Sequence, residues 1–134
     1  MGRQSFFYAM TDGIRITVRP QFVEARSRPE LHEYVFLYRV RIENAGAGTL
    51  QLIRRRWHIH DATGEDQHVE GDGVVGRQPM LHPGTVHEYK SYCVLRAPTG
   101  WMEGEYVLVD KGGVERTAQI PRFDLSAEPT TDPH

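Results

Sequence analysis

The chain has 134 residues, which is enough for one hydrophobic core and short for two, because domains typically run to about 100–150 residues. Its 16 basic and 18 acidic residues give a formal net charge of −2, which argues against a nucleic-acid-binding protein with a strongly basic face. Cys93 is the single cysteine, so an intrachain disulfide is excluded, and no apolar run has the length of a signal peptide or a membrane span. We therefore expect one cytoplasmic domain that does not enter a membrane.

Apolar residues alternate with polar ones along most of the chain, which is the two-residue period of half-buried strands. The strands predicted in chain order are 14–22, 34–42, 50–61, 66–70, 86–95, 105–110 and 115–120. Glycine, proline or asparagine separates most of these segments, and no segment has the pattern of an amphipathic helix. About seven strands of this kind predict an all-β protein, an antiparallel β-sandwich.

A glycine-rich stretch at 71–79 matches the G-x-G-x-x-G pattern of dinucleotide-binding proteins. Pro79 and Pro83 follow too closely for the helix that such a site needs, so we reject that interpretation. The backbone amides of a tight glycine loop can still form a concave nest for phosphate oxygens, and an adjacent guanidinium strengthens it. The candidate anion-binding residues are Gly71, Gly73, Gly76 and Arg77. The alternative is that these glycines only allow tight turns with positive φ.

Three consecutive arginines, Arg54 to Arg56, precede Trp57 on a predicted strand. Alternation places Arg54 and Arg56 on the outer face, where they belong to a solvated surface or extend an anion-binding one. Arg55 shares the inner face with Trp57 and needs an acid or backbone carbonyls there. We interpret Arg55 as a structural brace.

Histidines cluster around a predicted hairpin near residues 62–64. If the turn has three residues, His58 faces His68 and His60 faces Asp66, and the four side chains share one surface suited to a transition metal. A two-residue turn sends His68 to the opposite face. The weak metal-site hypothesis is therefore His58, His60 and His68, and exposed strand histidines are the alternative.

No pattern in the sequence indicates an enzyme. Cys93 lies on the same face of a predicted strand as Ser91 and Leu95, which is typical of an inert buried thiol. Nucleophilic catalysis needs a base within hydrogen-bonding reach and an oxyanion site, and no local motif fixes either. We predict a non-enzymatic protein without a cofactor.

The order and spacing of many short motifs resemble the ApaG family. The motifs are Tyr34-x-Phe36, Ile42-x-Asn44, Gln51-Leu52, Arg55-x-Trp57-x-Ile59-x-Asp61-x-x-Gly64, Val69-x-Gly71, Gly73 to Gly76, Gln78-Pro79, Pro83-Gly84, Tyr89-x-Ser91, Gly100-x-Met102-x-Gly104-x-Tyr106 and Ile120-Pro121-x-Phe123. The resemblance covers 13–125, so we assign an N-terminal extension to 1–12 and a flexible C-terminal tail to 126–134. It implies a fibronectin type III-like, and hence immunoglobulin-like, sandwich, and an association with cobalt and magnesium resistance. Tyr92 departs from the family pattern, which has a small residue after the serine.

Two functional hypotheses follow. The first is a protein-interaction module that recruits an unknown protein partner through an exposed sheet edge or loop surface, as the presence of this domain in multidomain eukaryotic proteins suggests by analogy. The second is a binder of pyrophosphate or a nucleotide at the glycine-rich loop. A sandwich with open edges is compatible with a monomer or a weak homodimer.

Overall fold

Nine strands form two antiparallel sheets in the computed structural model, which describes residues 6–127. The strands are β1 Phe7–Thr11, β2 Ile14–Phe22, β3 Tyr34–Asn44, β4 Leu50–Asp61, β5 Asp66–Asp72, β6 Met80–Leu81, β7 Val86–Leu95, β8 Thr99–Asp110 and β9 Glu115–Ser126. The predicted antiparallel sandwich is confirmed, whereas the predicted number of seven strands is wrong. Two 3₁₀ helices, Glu24–Arg26 and Pro29–Leu31, lie between β2 and β3. In this part of the chain no helix is long and apolar enough to cross a membrane.

The first sheet has the strand order β1-β2-β3-β7, and the second has the order β5-β4-β8-β9 with β6 beside the start of β4. Alternate side chains of both sheets point into one core, as the two-residue period predicts. Phe36, Tyr106 and Phe123 are among its largest fully buried side chains.

The two additional strands lie where the sequence has no clear alternation. Strand β1 occupies part of the segment that we assigned to an N-terminal extension, and it pairs with β2 through a turn at Asp12 and Gly13, with φ of 47° and 84°. Strand β6 has only two residues. Ser126, the first residue of the assigned tail, still belongs to β9, while 128–134 lie outside the described residues.

A β-bulge in β4 decides which side chains face the core. The pairing of β4 with β8 shifts register between Leu52 and Arg54, so Ile53 is the extra residue. Because the added residue reverses the side-chain direction, Leu52 and Trp57 both point into the core although they are five residues apart. Arg55 shares the inner face with Trp57. The bulge thereby places a guanidinium on the inner face of the second sheet.

The sandwich is closed on one side and open on the other. Strand β9 packs against β1 and β2, where Phe7 and Phe123 lie 6.3 Å apart and the Gln119 amide donates to Thr11 Oγ1 over 3.1 Å. On the opposite side the outermost long strands are β5 and β7, and within residues 6–127 each pairs with a neighbour along one edge. The inner surface is therefore accessible between β5 and β7.

Candidate functional site

A groove separates β5 from β7 on the open side of the sandwich. Two adjoining cavities of about 480 Å³ and about 430 Å³ lie between these strands, and both are lined by Ile59, Gln67 and Val94. They therefore form one continuous depression, which we call the β5–β7 groove.

The floor of the groove combines aromatic rings with a few polar groups. Tyr38 and Trp57 come from the two facing sheets, and their ring centroids lie 5.5 Å apart in an edge-to-face arrangement. Ser91 lies opposite Tyr38 in the pairing of β3 with β7, and Val69, 38% exposed, lines the β5 wall. The cavity that these side chains line has the apolar walls and few polar groups that are typical of binding sites, whereas the adjoining cavity is lined mostly by charged and polar side chains.

Arg55 lies on the inner face at the same end of the groove as the glycine-rich loop. Its Nη1 donates to the carbonyl oxygens of Asp72, at 2.9 Å, and Gly73, at 3.0 Å. A Cβ at Gly71 would come within 2.6 Å of Arg55 Nη2, so the guanidinium rests directly against the glycine backbone. The interpretation of Arg55 as a brace held by backbone carbonyls is confirmed. Gly71 serves this packing contact.

The glycine-rich loop is a tight hairpin. Val74 and Arg77 exchange backbone hydrogen bonds of 2.8 and 3.1 Å around Val75 and Gly76, whose φ angles are 47° and 75°. Gly73 has a φ of 60°, donates its amide to Ile53 O over 2.8 Å, and has no room for a Cβ beside the Arg77 carbonyl. The amides of Gly73, Val74 and Arg77 are thus already used within the chain. The positive φ values agree with the turn interpretation of these glycines.

Buried hydroxyl and thiol groups behind the groove are held in their protonated forms. Burial raises the pKa of Tyr89 and Tyr106, whose hydroxyls share a short hydrogen bond. Burial, with a smaller effect of the Asp61 charge, raises the pKa of Cys93 to about 11. A thiol with this pKa is almost entirely protonated at neutral pH and is a poor nucleophile.

The histidine hairpin has the register that requires a three-residue turn. His58 pairs with His68 and His60 pairs with Asp66, so all four side chains share the outer face of the second sheet. His58 Nε2 and His60 Nδ1 lie 2.8 and 2.6 Å from the two oxygens of Asp66, and the rings of His58 and His68 are stacked 4.4 Å apart. A hydrogen bond from His58 and, to a smaller extent, one from His60 lower the pKa of Asp66.

This face holds a hydrogen-bonded and stacked cluster in place of an assembled metal centre. No group of three or more histidine, cysteine or acidic side chains among residues 6–127 is arranged to hold a metal ion. The metal-site hypothesis for His58, His60 and His68 stays a prediction, and it requires these rings to leave Asp66 or each other.

Trp101 and Arg122 belong to the same outer face and were missed by the sequence analysis. The indole of Trp101 stacks with His60 at 5.0 Å, and the Arg122 guanidinium lies 3.8 Å above the Trp101 ring. Arg122 Nε also donates to Glu103 over 2.9 Å. The signal for Trp101 is that it and Glu103 lie two residues apart at the start of β8 and so share a face. The sequence analysis missed it because the predicted strand began at residue 105.

Arg54 and Arg56 point outward, as predicted. Arg54 lies 3.5 Å from Glu115, and Arg56 lies 3.2 Å from Glu70 and 2.6 Å from Glu105. Ion pairs on an exposed sheet face contribute little to stability individually. Because both guanidinium groups already have carboxylate partners, the solvated-face interpretation describes them.

The most specific polar residues of the sequence motifs have structural partners. The Asn44 side chain donates to the carbonyls of Gly48 and Leu81 over 2.8 Å each and accepts from the Gly46 amide. Asp61 accepts from the amides of Thr63 and Arg96 at 2.9 and 2.7 Å. Although burial alone raises the pKa of Asp61, these hydrogen bonds hold it below its ordinary value.

His87 lies on the inner side of β7, with its ring 6.2 Å from that of Tyr89. Its Nε2 is buried and has no hydrogen-bond partner among the described residues. Burial, and to a smaller extent the charge of Arg77, lowers the pKa of His87. The folded protein therefore disfavours protonation of this ring.

Replacing His87 with phenylalanine should remove part of the acid sensitivity of the fold. Because the unfolded state takes up the proton at a higher pH than the folded state, this contribution to stability is complete above about pH 6.5 and is lost as the pH falls toward the lower folded-state value. Urea unfolding at pH 7.5 and pH 5 measures the loss in the wild-type protein and in His87→Phe. An equal loss in wild type and variant would contradict this assignment.

Comparison with known proteins places the fold and its motifs in a family. The ApaG domain model matches residues 24–110. Protein ApaG of Rhodospirillum centenum is 45% identical over 118 residues, covering 88% of this chain and 91% of that protein, and Protein ApaG of Anaeromyxobacter is 50% identical over 117 residues, covering 87% and 92%. The crystal structure of a putative ApaA protein from Bordetella pertussis is 40% identical, has a TM-score of 0.82, and is matched over 89% of this chain and 94% of that one. The chain belongs to the ApaG family.

Proposed function

We propose that this protein is a non-enzymatic interaction module of the cytoplasm that binds an extended segment of a partner protein in the β5–β7 groove. The observation that carries the proposal is the asymmetry of the sandwich. One side is closed by β9 against β1 and β2, while the other has two strand edges flanking a groove with an aromatic floor.

Strand β7 is the edge best suited to pair with such a segment. It spans ten residues, and its second edge has no strand partner in the described part of the chain. Main-chain hydrogen bonds along a free edge supply affinity for an extended peptide, and pockets for alternate side chains supply specificity. By contrast, β5 spans seven residues with a largely charged and polar outer face.

Exposed apolar side chains on β7 favour the same edge. Tyr92 is 47% exposed and Val94 is 54% exposed, both border the groove, and the Arg26 guanidinium lies 5.2 Å from the Tyr92 ring. Large apolar side chains on an unpaired edge are typical of interaction surfaces. The departure of Tyr92 from the family pattern suggests that the partner of this protein differs from those of its relatives.

The chemistry of the groove supports a binding role without catalysis. Cys93 and Tyr89 are held protonated by burial, and Asp61 is saturated by backbone amides. These groups accordingly lack the pairing of nucleophile and base that covalent catalysis needs.

Display selection of randomised ten-residue peptides on the immobilised full chain tests the proposal. Selected peptides are then synthesised, and their binding is mapped by amide NMR on the labelled protein. Shifts centred on Trp57, Val69 and Ser91 are expected. The absence of any selected binder, or shifts confined to the outer face around His58 and Trp101, would reject the groove as the binding site.

Anion binding at the glycine-rich loop is the alternative proposal, because Arg77 is exposed and has no carboxylate partner within residues 6–127. Salt-sensitive shifts of Val75 to Arg77 with pyrophosphate, lost in Arg77→Ala, are its expected result. A Gly73 substitution is unsuitable, since any Cβ there collides with the Arg77 carbonyl. Titration with Co²⁺ in the same experiment tests the histidine face and the link to divalent cations.

A further inference from the structure

Arg55 is a partly buried cation that has no carboxylate partner within residues 6–127. Its only hydrogen bonds go from Nη1 to two neutral backbone carbonyls, those of Asp72 and Gly73, in the part of the chain that the structure describes. A guanidinium carries five N–H donors, so Nε and Nη2 retain donors for another acceptor. Arg55 also lines the cavity that contains Tyr38 and Trp57.

Comparison with the other arginines shows that this situation is particular to Arg55. The other three partly buried arginines of the described residues each pair with a glutamate: Arg41 with Glu43, Arg54 with Glu115, and Arg56 with Glu70 and Glu105. The remaining arginines that lack such a partner are exposed to water. An inward-facing guanidinium in a groove is hydrated less than an exposed one. An incoming anion therefore stabilises it more than it stabilises an exposed arginine.

We infer that Arg55 binds the carboxylate of an aspartate or glutamate side chain in the extended peptide, an inference that rests on the proposed function of the groove. Charge complementarity selects the occupant: in the cavity that contains Tyr38 and Trp57, Arg55 is the one charged lining residue, so the stretch of the segment that lies there should be apolar with one acidic residue. Arg55 is already oriented by its two carbonyl contacts and by Gly71, so little side-chain freedom is lost when the acid binds.

An acidic side chain within the segment fits better than a terminal carboxylate. The cavity beside Arg55 continues into the second cavity through Ile59, Gln67 and Val94, and β7 runs alongside for ten residues. A segment that pairs along β7 passes Arg55 and continues beyond it, whereas a chain that ends at Arg55 leaves the rest of the groove empty. The peptide should therefore present its carboxylate on the face directed toward the second sheet.

The test repeats the display selection with blocked ten-residue peptides, acetylated at the N-terminus and amidated at the C-terminus. The full chain and its Arg55→Met variant are used in parallel, with Arg54→Met as the matched control from the outer face. Wild type and Arg54→Met should enrich aspartate or glutamate at one position, and a glutamine in its place should weaken binding about tenfold. Arg55→Met should lose this preference while still selecting peptides, and Arg55→Lys should retain part of it.

The outcomes separate this inference from the proposal beneath it. Peptides selected without an acidic preference, or a preference that survives in Arg55→Met, would overturn the role of Arg55 and leave the groove proposal intact. If a selected peptide resynthesised with a free C-terminal carboxylate bound more tightly without its acidic side chain, or if inorganic phosphate alone competed with it, another anion would replace the acidic side chain. A failure to select any peptide would reject both. Urea unfolding of each variant confirms that the folded chain is compared.

Discussion

Val69→Glu should weaken peptide binding in the β5–β7 groove, because the introduced carboxylate occupies Arg55. Val69 lies on the inner face of β5, two residues from Gly71, against which the Arg55 guanidinium rests. A carboxylate at this position reaches Arg55 and takes the place that we assign to the acid of the partner. We expect affinity for a selected acidic peptide to fall about thirtyfold, in line with a charge-assisted hydrogen bond of ~2 kcal/mol.

Val69→Gln is the matched control for this result. Glutamine has nearly the shape of glutamate but no charge, so Val69→Gln should weaken peptide binding only a few-fold. Because Val69 is 38% exposed, both variants should keep the fold within about 1 kcal/mol of wild type in urea unfolding. Equal affinities of the two variants in calorimetric titration would show that the introduced charge does not compete for Arg55.

Trp57→Ala should cause the largest loss of stability among single substitutions near the groove. Trp57 is 5% exposed, and its indole contacts the rings of Tyr38, Tyr106 and Phe123 with centroids 5.5, 6.4 and 6.0 Å away. Removal of a buried tryptophan side chain typically costs about 3–5 kcal/mol, because the lost apolar burial is compounded by a cavity. Urea unfolding followed by far-UV circular dichroism measures the loss.

The second tryptophan of the chain supplies the control. Trp101 lies on the outer face between His60 and Arg122, and Trp101→Ala should cost about 1 kcal/mol. If Trp57→Ala proves too unstable to purify, Trp57→Phe should still be less stable than Trp101→Ala. A loss no greater at Trp57 than at Trp101 would contradict the position of Trp57 in the common core.

The sequence predicted the strands best where one face of a strand is buried and the other is exposed to water. The bounds of β2 and β7 were predicted correctly because their alternation is continuous and turn residues precede them. Alternation did not predict β1, because apolar residues occupy both faces of that strand. The Asp12-Gly13 dipeptide is a strong hairpin signal that was available there.

The early part of β8 and the late part of β9 were missed for a related reason. A register shift between Met102 and Gly104 interrupts the period of two, and Pro121 lies within β9 opposite this irregularity. Proline is tolerated on an edge strand or at a bulge, so its presence does not end the strand as the sequence rule suggests. As a result, Trp101 was not assigned to the histidine face.

The candidate site could be predicted only in part, because its position depends on sheet pairing between distant segments. Alternation correctly placed Arg55 inside and Arg54 and Arg56 outside, and the three-residue turn gave the observed pairing of His58 with His68. The groove itself requires that β5 and β7 lie on the same side of the sandwich, which no local pattern specifies. The sequence analysis placed a candidate site in the loop at 71–76 because of its glycines, whereas the groove lies beside this loop.

Amide hydrogen exchange of the protein with and without a selected peptide tests the central claim most directly. If a segment pairs with β7, the peptide should slow exchange of alternate amides within Val86–Leu95 at least tenfold, because only every second amide points toward the free edge. Amides of β1 and β9, on the closed side, should be unaffected. Protection confined to the glycine-rich loop or to the closed side would contradict binding in the β5–β7 groove.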